Sequence, residues 1–138
     1  MTSAQEEYAR GAWEFAWAYT GRSDAAAACL ARAFRELERR APPDREPARR
    51  RAVWQALVEA CRQQVSARPP GAAESSDPRL SLILDLPLEL REALLLARYQ
   101  GASAEDLGEA LRCDAETALG RAHRALSRLL LLRTMPRP

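Results

Sequence analysis

Apolar side chains recur at every third or fourth position along most of the chain, and this spacing predicts amphipathic helices. In the N-terminal half it predicts three helices, over about residues 3–19, 24–40 and 48–65. The side chains expected to face inward are Tyr8, Ala12, Phe15 and Tyr19 in the first helix, Cys29, Leu30, Ala33, Phe34 and Leu37 in the second, and Val53, Trp54, Leu57, Val58, Cys61 and Val65 in the third. Three such helices joined by short loops predict a small bundle, with Trp13 and Trp17 also expected in its core.

Two proline-rich stretches interrupt the helical pattern. The first covers residues 41–47, and the second, residues 68–78, combines three prolines with a glycine and two serines. The second composition is typical of a linker between domains. We therefore predict two small domains, over residues 1–67 and 79–138. Strand-forming residues are scarce, whereas Ala, Leu, Arg and Glu dominate, so the expected fold class is all-α.

After the linker, a short apolar segment over residues 80–86 leads to Pro87, which suits the first turn of a new helix. This helix is expected to end near Tyr99, with four apolar side chains facing inward. They are Leu90, Leu94, Leu95 and Ala97. Ser103 and Asp106 then have the spacing of a capping box, which predicts that another helix begins there.

This next helix is short, and Gly108 within it leaves room for a close crossing by its neighbour. Arg112 and Cys113 form a corner, after which Asp114 can cap a last helix that extends to Leu132. A short helix, a turn of a few residues and a longer helix predict a helix-turn-helix.

The last predicted helix has two contrasting faces. The face expected to pack on the preceding helices consists of Ala118, Ala122, Ala125, Leu126, Leu129 and Leu132. Thr117, Arg121, Arg124 and Arg128 form a narrow stripe on the opposite side. Guanidinium groups in such a stripe can bind phosphates or read guanine edges in a major groove. The same stripe is also what the solvated face of an ordinary amphipathic helix looks like.

The distribution of charge favours the nucleic-acid interpretation more than the net charge of +2 does. Residues 112–138 contain six arginines against two acidic residues, whereas residues 79–111 contain three arginines against six. All 21 basic residues are arginine, which is typical of a protein from a GC-rich genome. The basic surplus therefore lies on the last helix and the residues after it, where a phosphate-binding surface needs it.

Three segments in this order and spacing carry a family resemblance: residues 86–96, residues 101–107, and Thr117 followed by residues 121–126. Residues 80–132 resemble the promoter −35-binding domain of bacterial sigma factors, above all the small two-domain extracytoplasmic-function type. Residues 12–34 more faintly resemble the two helices by which such factors bind RNA polymerase.

The resemblance implies a function in transcription initiation. In the polymerase-binding helix it points to Cys29, Arg32 and Arg35 as contacts with core RNA polymerase. In the recognition helix it points to promoter-DNA contacts by Thr117, Arg121, His123, Arg124 and Arg128. Trp54 resembles the tryptophan of the helix with −10-element functions. The preceding Arg49, Arg50 and Arg51 are then either DNA contacts or a solvated helix start.

The chain departs from the family pattern at several of these positions. Ala28, Ala31 and Arg32 stand where the family usually has an Asp, a Gln and a Glu that engage polymerase. Residues 60–61 replace an Arg-Asn pair, and residues 119–120 replace a basic residue and a serine. Alanine cannot supply the lost hydrogen bonds, and Arg32 reverses a charge.

Three functions therefore stay open. The first is a sigma factor that binds core RNA polymerase and promoter DNA, with an anti-sigma factor as a further partner. The second is a sigma-like adaptor that binds a protein partner, an anti-sigma factor or another regulator, without reading a promoter. The third is a helix-turn-helix regulator that acts without polymerase, although no dimerisation element is evident.

Enzymatic function is not expected. The chain has one histidine and three widely separated cysteines, without a catalytic triad, a phosphate loop or metal-ligand spacing. We accordingly expect no cofactor and no metal, and buried reduced thiols rather than disulfides. No secretion signal and no membrane-inserting segment is evident, so we expect a cytoplasmic protein.

Overall fold

The computed structural model describes residues 3–40, 44–45, 48–67, 77–99 and 103–134, with the side chains of residues 3–8 and 132–134 left outside the description. The helices are α1 (Ser3–Thr20), α2 (Ser23–Arg40), α3 (Ala48–Ala67), α4 (Pro78–Leu84), α5 (Leu88–Tyr99), α6 (Ala104–Leu111) and α7 (Ala115–Thr134). Within those ranges there is no strand. The all-α prediction is confirmed, and the predicted helices begin and end within about two residues of the observed ones.

Helices α1, α2 and α3 pack against one another around aromatic side chains. Phe15 lies at the centre, with its ring centroid 5.5 Å from that of Trp54 in an edge-on arrangement and 5.7 Å from that of Tyr19. All three rings are almost completely buried. Burial of such large side chains supplies much of the stability of a small helical core. Trp17 packs on this core from its edge, whereas Trp13 is 37% exposed and contradicts the prediction.

The expected inward face of α2 is partly wrong. Cys29 and Ala33 are buried as predicted, but Phe34 is 61% exposed. Each residue advances by about 100° around a helix, so Phe34 points well away from the side on which Ala33 packs. The buried stripe of α2 is narrow because this helix packs at the edge of the bundle. Tyr8, predicted for the core, has a side chain outside the described part.

Helix α7 packs on α5 and α6 through alanines. Ala118 and Ala125 are completely buried, while Ala122 is half-buried against the core. Leu126 was expected on the same face but is 50% exposed, because it lies about 100° beyond Ala125. The side chain of Leu132 is outside the described residues. Small side chains thus let α7 approach its neighbours closely and leave its larger ones toward solvent.

Helix α5 buries a different set of side chains from the one predicted. Leu95 is buried, but Ala97 is exposed and Leu90 and Leu94 are only half-buried. Their places are taken by Arg91 and Glu92, which are 7% and 2% exposed. The side of α5 that faces the N-terminal helices is therefore partly charged.

The two halves of the chain share one apolar core. Side chains from α1 and α3 belong to the same buried cluster as Leu80 of α4, Leu95 and Leu96 of α5, and Leu107 of α6. Helix α1 packs against α4 and α5, and α3 packs against α6. The predicted division into two domains stays a prediction, because most of the predicted linker, residues 68–76, lies outside the described ranges.

A buried carboxylate lies where the two halves meet. Glu92 of α5 accepts hydrogen bonds from Nε and Nη2 of Arg62 in α3, at 2.7 and 2.8 Å, and from Oη of Tyr19 in α1, at 2.5 Å. Beside it, Arg91 donates to the carbonyl oxygens of Tyr19 and Leu84. Burial and the neighbouring Glu92 charge raise the pKa of the Tyr19 hydroxyl, so it stays protonated. This polar cluster fixes α5 against α1 and α3.

Among the helices of the described ranges, none is both long enough and apolar enough to cross a membrane.

Candidate nucleic-acid interface

Local hydrogen bonds set the geometry of the α6–α7 pair. The Ser103 hydroxyl accepts a hydrogen bond from the Asp106 backbone N–H at 3.2 Å, which caps α6 as predicted. Helix α6 ends at Leu111, and the left-handed backbone of the following Arg112 (φ 58°) turns the chain. The carboxylate of Asp114 accepts from the Thr117 backbone N–H at 2.7 Å and caps α7, as also predicted. This hydrogen bond lowers the pKa of Asp114.

Gly108 allows the close crossing of α6 and α7. A methyl group at this position would lie 2.7 Å from the carbonyl oxygen of Cys113 and 3.1 Å from the backbone nitrogen of Ala115. The Cys113 backbone N–H donates to the Gly108 carbonyl at 2.9 Å. The close approach predicted at Gly108 is confirmed, and residues 112–114 join α6 to α7.

Helix α7 presents the predicted stripe to solvent. Arg124 and Arg128 are exposed, and Arg121 and Thr117 are half-buried at its base. His123 is exposed on an adjoining strip of the same helix. None of these three arginines forms an ion pair with a carboxylate within the described ranges. Their guanidinium groups therefore keep their hydrogen-bond donors for another acceptor.

Six other arginines of the described ranges pair with carboxylates. They are Arg22, Arg39, Arg40, Arg51, Arg62 and Arg79. Arginines on other helices, among them Arg10, Arg35 and Arg98, form no ion pair within those ranges either. Arg121, Arg124 and Arg128 differ from these in lying together along one face of α7.

The arginine run at the start of α3 is divided by the fold. Arg49 and Arg50 are exposed, but Arg51 faces α6. Its Nε lies 2.7 Å from Oδ1 of Asp106 and 3.4 Å from Oε2 of Glu109. Arg51 was predicted to be a DNA contact or part of a solvated helix start, and its guanidinium is occupied by these carboxylates.

The residues predicted to contact polymerase do not share one surface. Cys29 is completely buried and its thiol hydrogen-bonds with that of Cys61, so it cannot touch a partner while α2 and α3 stay packed. Arg32 is half-buried, with Nη1 3.4 Å from Oε1 of Gln63, and Arg35 is exposed. The polymerase contact that the resemblance assigned to Cys29 therefore needs correction, because its side chain points into the core.

Sequence reasoning missed the Glu92 cluster and the pairing of Arg51 with α6. A usable signal for the first was the presence of Arg91 and Glu92 within an otherwise leucine-rich helix. The sequence contains no comparable signal that Asp106 pairs with Arg51, since the presence of Asp106 was already explained by the capping box.

The three cysteines of the chain are free thiols, and Cys113 is half-buried. Burial raises the pKa of the Cys61 thiol. Across the described residues, no group of three or more His, Cys, Asp or Glu side chains is arranged to hold a metal ion.

No protein-family model matches the chain, and neither a curated protein nor a solved structure matches it significantly.

Proposed function

We propose that this protein binds duplex DNA by placing α7 in the major groove, as a sigma-factor-like protein of transcription initiation. The observation that carries the proposal is the stripe of Arg121, Arg124 and Arg128, unpaired within the described ranges, on the second helix of a helix-turn-helix. Its position is that of a recognition helix, whose N-terminal residues contact base edges while the first helix crosses the DNA backbone.

The side chains of α7 divide into two roles by their place along the helix. Arg121 and Arg124 can each donate two parallel hydrogen bonds to O6 and N7 of a guanine. Thr117 near the start of the helix and exposed His123 can add single hydrogen bonds to bases or phosphates. Arg128, one turn further, is placed to bind a backbone phosphate.

A matched pair of variants tests this assignment. The ligand is a DNA duplex that the wild-type protein selects from a random pool. We expect Arg121→Ala with Arg124→Ala to weaken binding to this duplex by at least about tenfold, because two base contacts are lost. The control is Arg39→Ala with Arg40→Ala, which removes the same charge from two exposed arginines that pair with Glu36 on α2. Fluorescence anisotropy measures both. Equal affinity of the two variants would remove α7 from the DNA interface.

The proposal extends to core RNA polymerase through the resemblance of α1 and α2 to the polymerase-binding helices of sigma factors. Exposed Arg35 and half-buried Arg32 on α2 are the side chains available for that contact. The test is co-elution of the protein with core polymerase from a bacterium with a GC-rich genome, at moderate salt on a sizing column. A stoichiometric complex is expected, and failure of a folded, helical sample to co-elute would contradict the polymerase contact.

One observation favours the second candidate, an adaptor that binds a protein partner. Phe34 is 61% exposed on α2, and Ala27 and Ala31 are exposed along the same side of the helix. Ala31 of this strip stands at one of the three positions where the family has a polar contact with polymerase. If the protein is such an adaptor, Phe34→Ser should abolish its binding to the protein partner. The wild type should then bind DNA without sequence specificity or not at all.

A further inference from the structure

Arg51 is held against the first helix of the helix-turn-helix by two carboxylates. Its Nε is 2.7 Å from Oδ1 of Asp106 and 3.4 Å from Oε2 of Glu109. One turn further along α3, Nε2 of Gln55 donates to the carbonyl oxygen of Glu109 at 3.0 Å. The first half of α3 therefore runs along α6, beside the turn that contains Asp106.

This place in the fold matters because α6 is the helix that crosses the DNA backbone when the second helix enters the major groove. A guanidinium beside the first turn of α6 is consequently close to the path of that backbone. Arg49 and Arg50 precede Arg51 and are exposed on the same stretch of α3. The start of α3 can thus add positive charge beside α6.

Carboxylate and phosphate oxygens are alternative acceptors for one guanidinium. The two ion pairs of Arg51 are partly open to solvent, since the side chains of Arg51, Asp106 and Glu109 are 37%, 25% and 52% exposed. Ion pairs with this degree of exposure are weak enough to exchange with a competing anion. Asp106 and Glu109 therefore pair with Arg51 in this structure, but a phosphate can displace them.

We infer that Arg51 is a DNA-phosphate contact that Asp106 and Glu109 mask in this arrangement of the helices, so that the two carboxylates lower the affinity of the protein for DNA. The inference rests on the proposed function, because it needs α7 to dock α6 against a duplex. It assigns Arg51 to the DNA that α7 binds and gives α6 a regulatory part in that binding.

The first experiment neutralises the two carboxylates that pair with Arg51. We expect Asp106→Asn with Glu109→Gln to bind a duplex about fivefold more tightly near 100 mM salt, and to steepen the slope of log affinity against log salt by about 0.9, the value for one added phosphate contact. The charge-matched control is Glu89→Gln with Glu105→Gln, which neutralises two exposed carboxylates. Glu105 shares the first turn of α6 with Asp106, so the control also matches the change in helix-end charge. An equal gain in the control would show an effect of net charge alone and overturn the inference.

The second experiment asks whether the gain passes through Arg51. Adding Arg51→Ala to the unmasked variant should return the slope to the wild-type value, whereas adding Arg79→Ala, an exposed arginine of α4, should leave the steeper slope unchanged. An unchanged slope after Arg51→Ala would overturn the inference, provided that circular dichroism shows each variant folded. If neither wild type nor any variant binds DNA, the proposed function fails first and the inference fails with it.

Discussion

At the scale of single residues, the side chain with the most demanding surroundings is Glu92. It is 2% exposed and bonded to Arg62 and Tyr19, which come from two other helices. A buried carboxylate is tolerated only when its oxygens are fully hydrogen-bonded, so each partner is needed for stability. The hydrogen bond to Glu92 raises the pKa of Arg62, as expected for a cation stabilised by a nearby anion.

Tyr19→Phe should have a cost that depends on pH. At neutral pH we expect the free energy of unfolding to fall by about 2 kcal/mol, because a hydrogen bond to a charged group is lost. The raised pKa of Tyr19 means that the folded state keeps its proton while the unfolded chain loses it above about pH 10. The wild type then loses about 1.4 kcal/mol of stability per pH unit from this residue, and the variant does not. The cost should therefore shrink as pH rises above 10. Urea unfolding at pH 7 and pH 11 measures it, and a cost independent of pH would contradict the buried, protonated hydroxyl.

At the scale of helices, the sequence predicts where elements lie better than which way they face. Six of the described helices and the Ser103 and Asp114 caps follow from periodicity and capping chemistry, both of which are local. Helix α4 was expected only as a short apolar segment over residues 80–86. Phe34 and Leu126 were assigned to the wrong side because a periodic pattern indicates a broad apolar face but not its edge. The edge depends on how many neighbours a helix has, and α2 has few.

The glycines within α6 and α7 provide a prediction at this scale. Gly108→Ala should destabilise the protein by about 1–3 kcal/mol, since the new methyl group would press on the backbone of Cys113. Gly120→Ala on α7 meets nothing within 4 Å and should stabilise the protein by up to about 1 kcal/mol through helix propensity. Thermal and urea unfolding measure both changes. A Gly108→Ala variant as stable as Gly120→Ala would contradict the close crossing.

At the scale of the whole molecule, contacts between the halves were beyond sequence reasoning. Tyr19 and Glu92 are 73 positions apart, and Arg62 and Glu92 are 30 apart. Periodicity and capping carry no information about such pairings, which depend on how complete helices pack. For the same reason the ion pair of Arg51 with Asp106 was not predicted, and Arg51 was expected either to contact DNA or to lie in a solvated helix start. The arginine stripe of α7 was predictable because one helix determines it.

The binding of DNA by the arginine stripe of α7 is tested most directly by the salt dependence of duplex binding. Affinity is measured between about 50 and 200 mM salt for wild type, for Arg128→Ala and for Arg39→Ala. We expect Arg128→Ala to lose about 0.9 from the slope of log affinity against log salt, because one phosphate contact stops displacing counterions, while Arg39→Ala on α2 keeps the wild-type slope. A wild-type slope for Arg128→Ala would contradict the binding of DNA by α7.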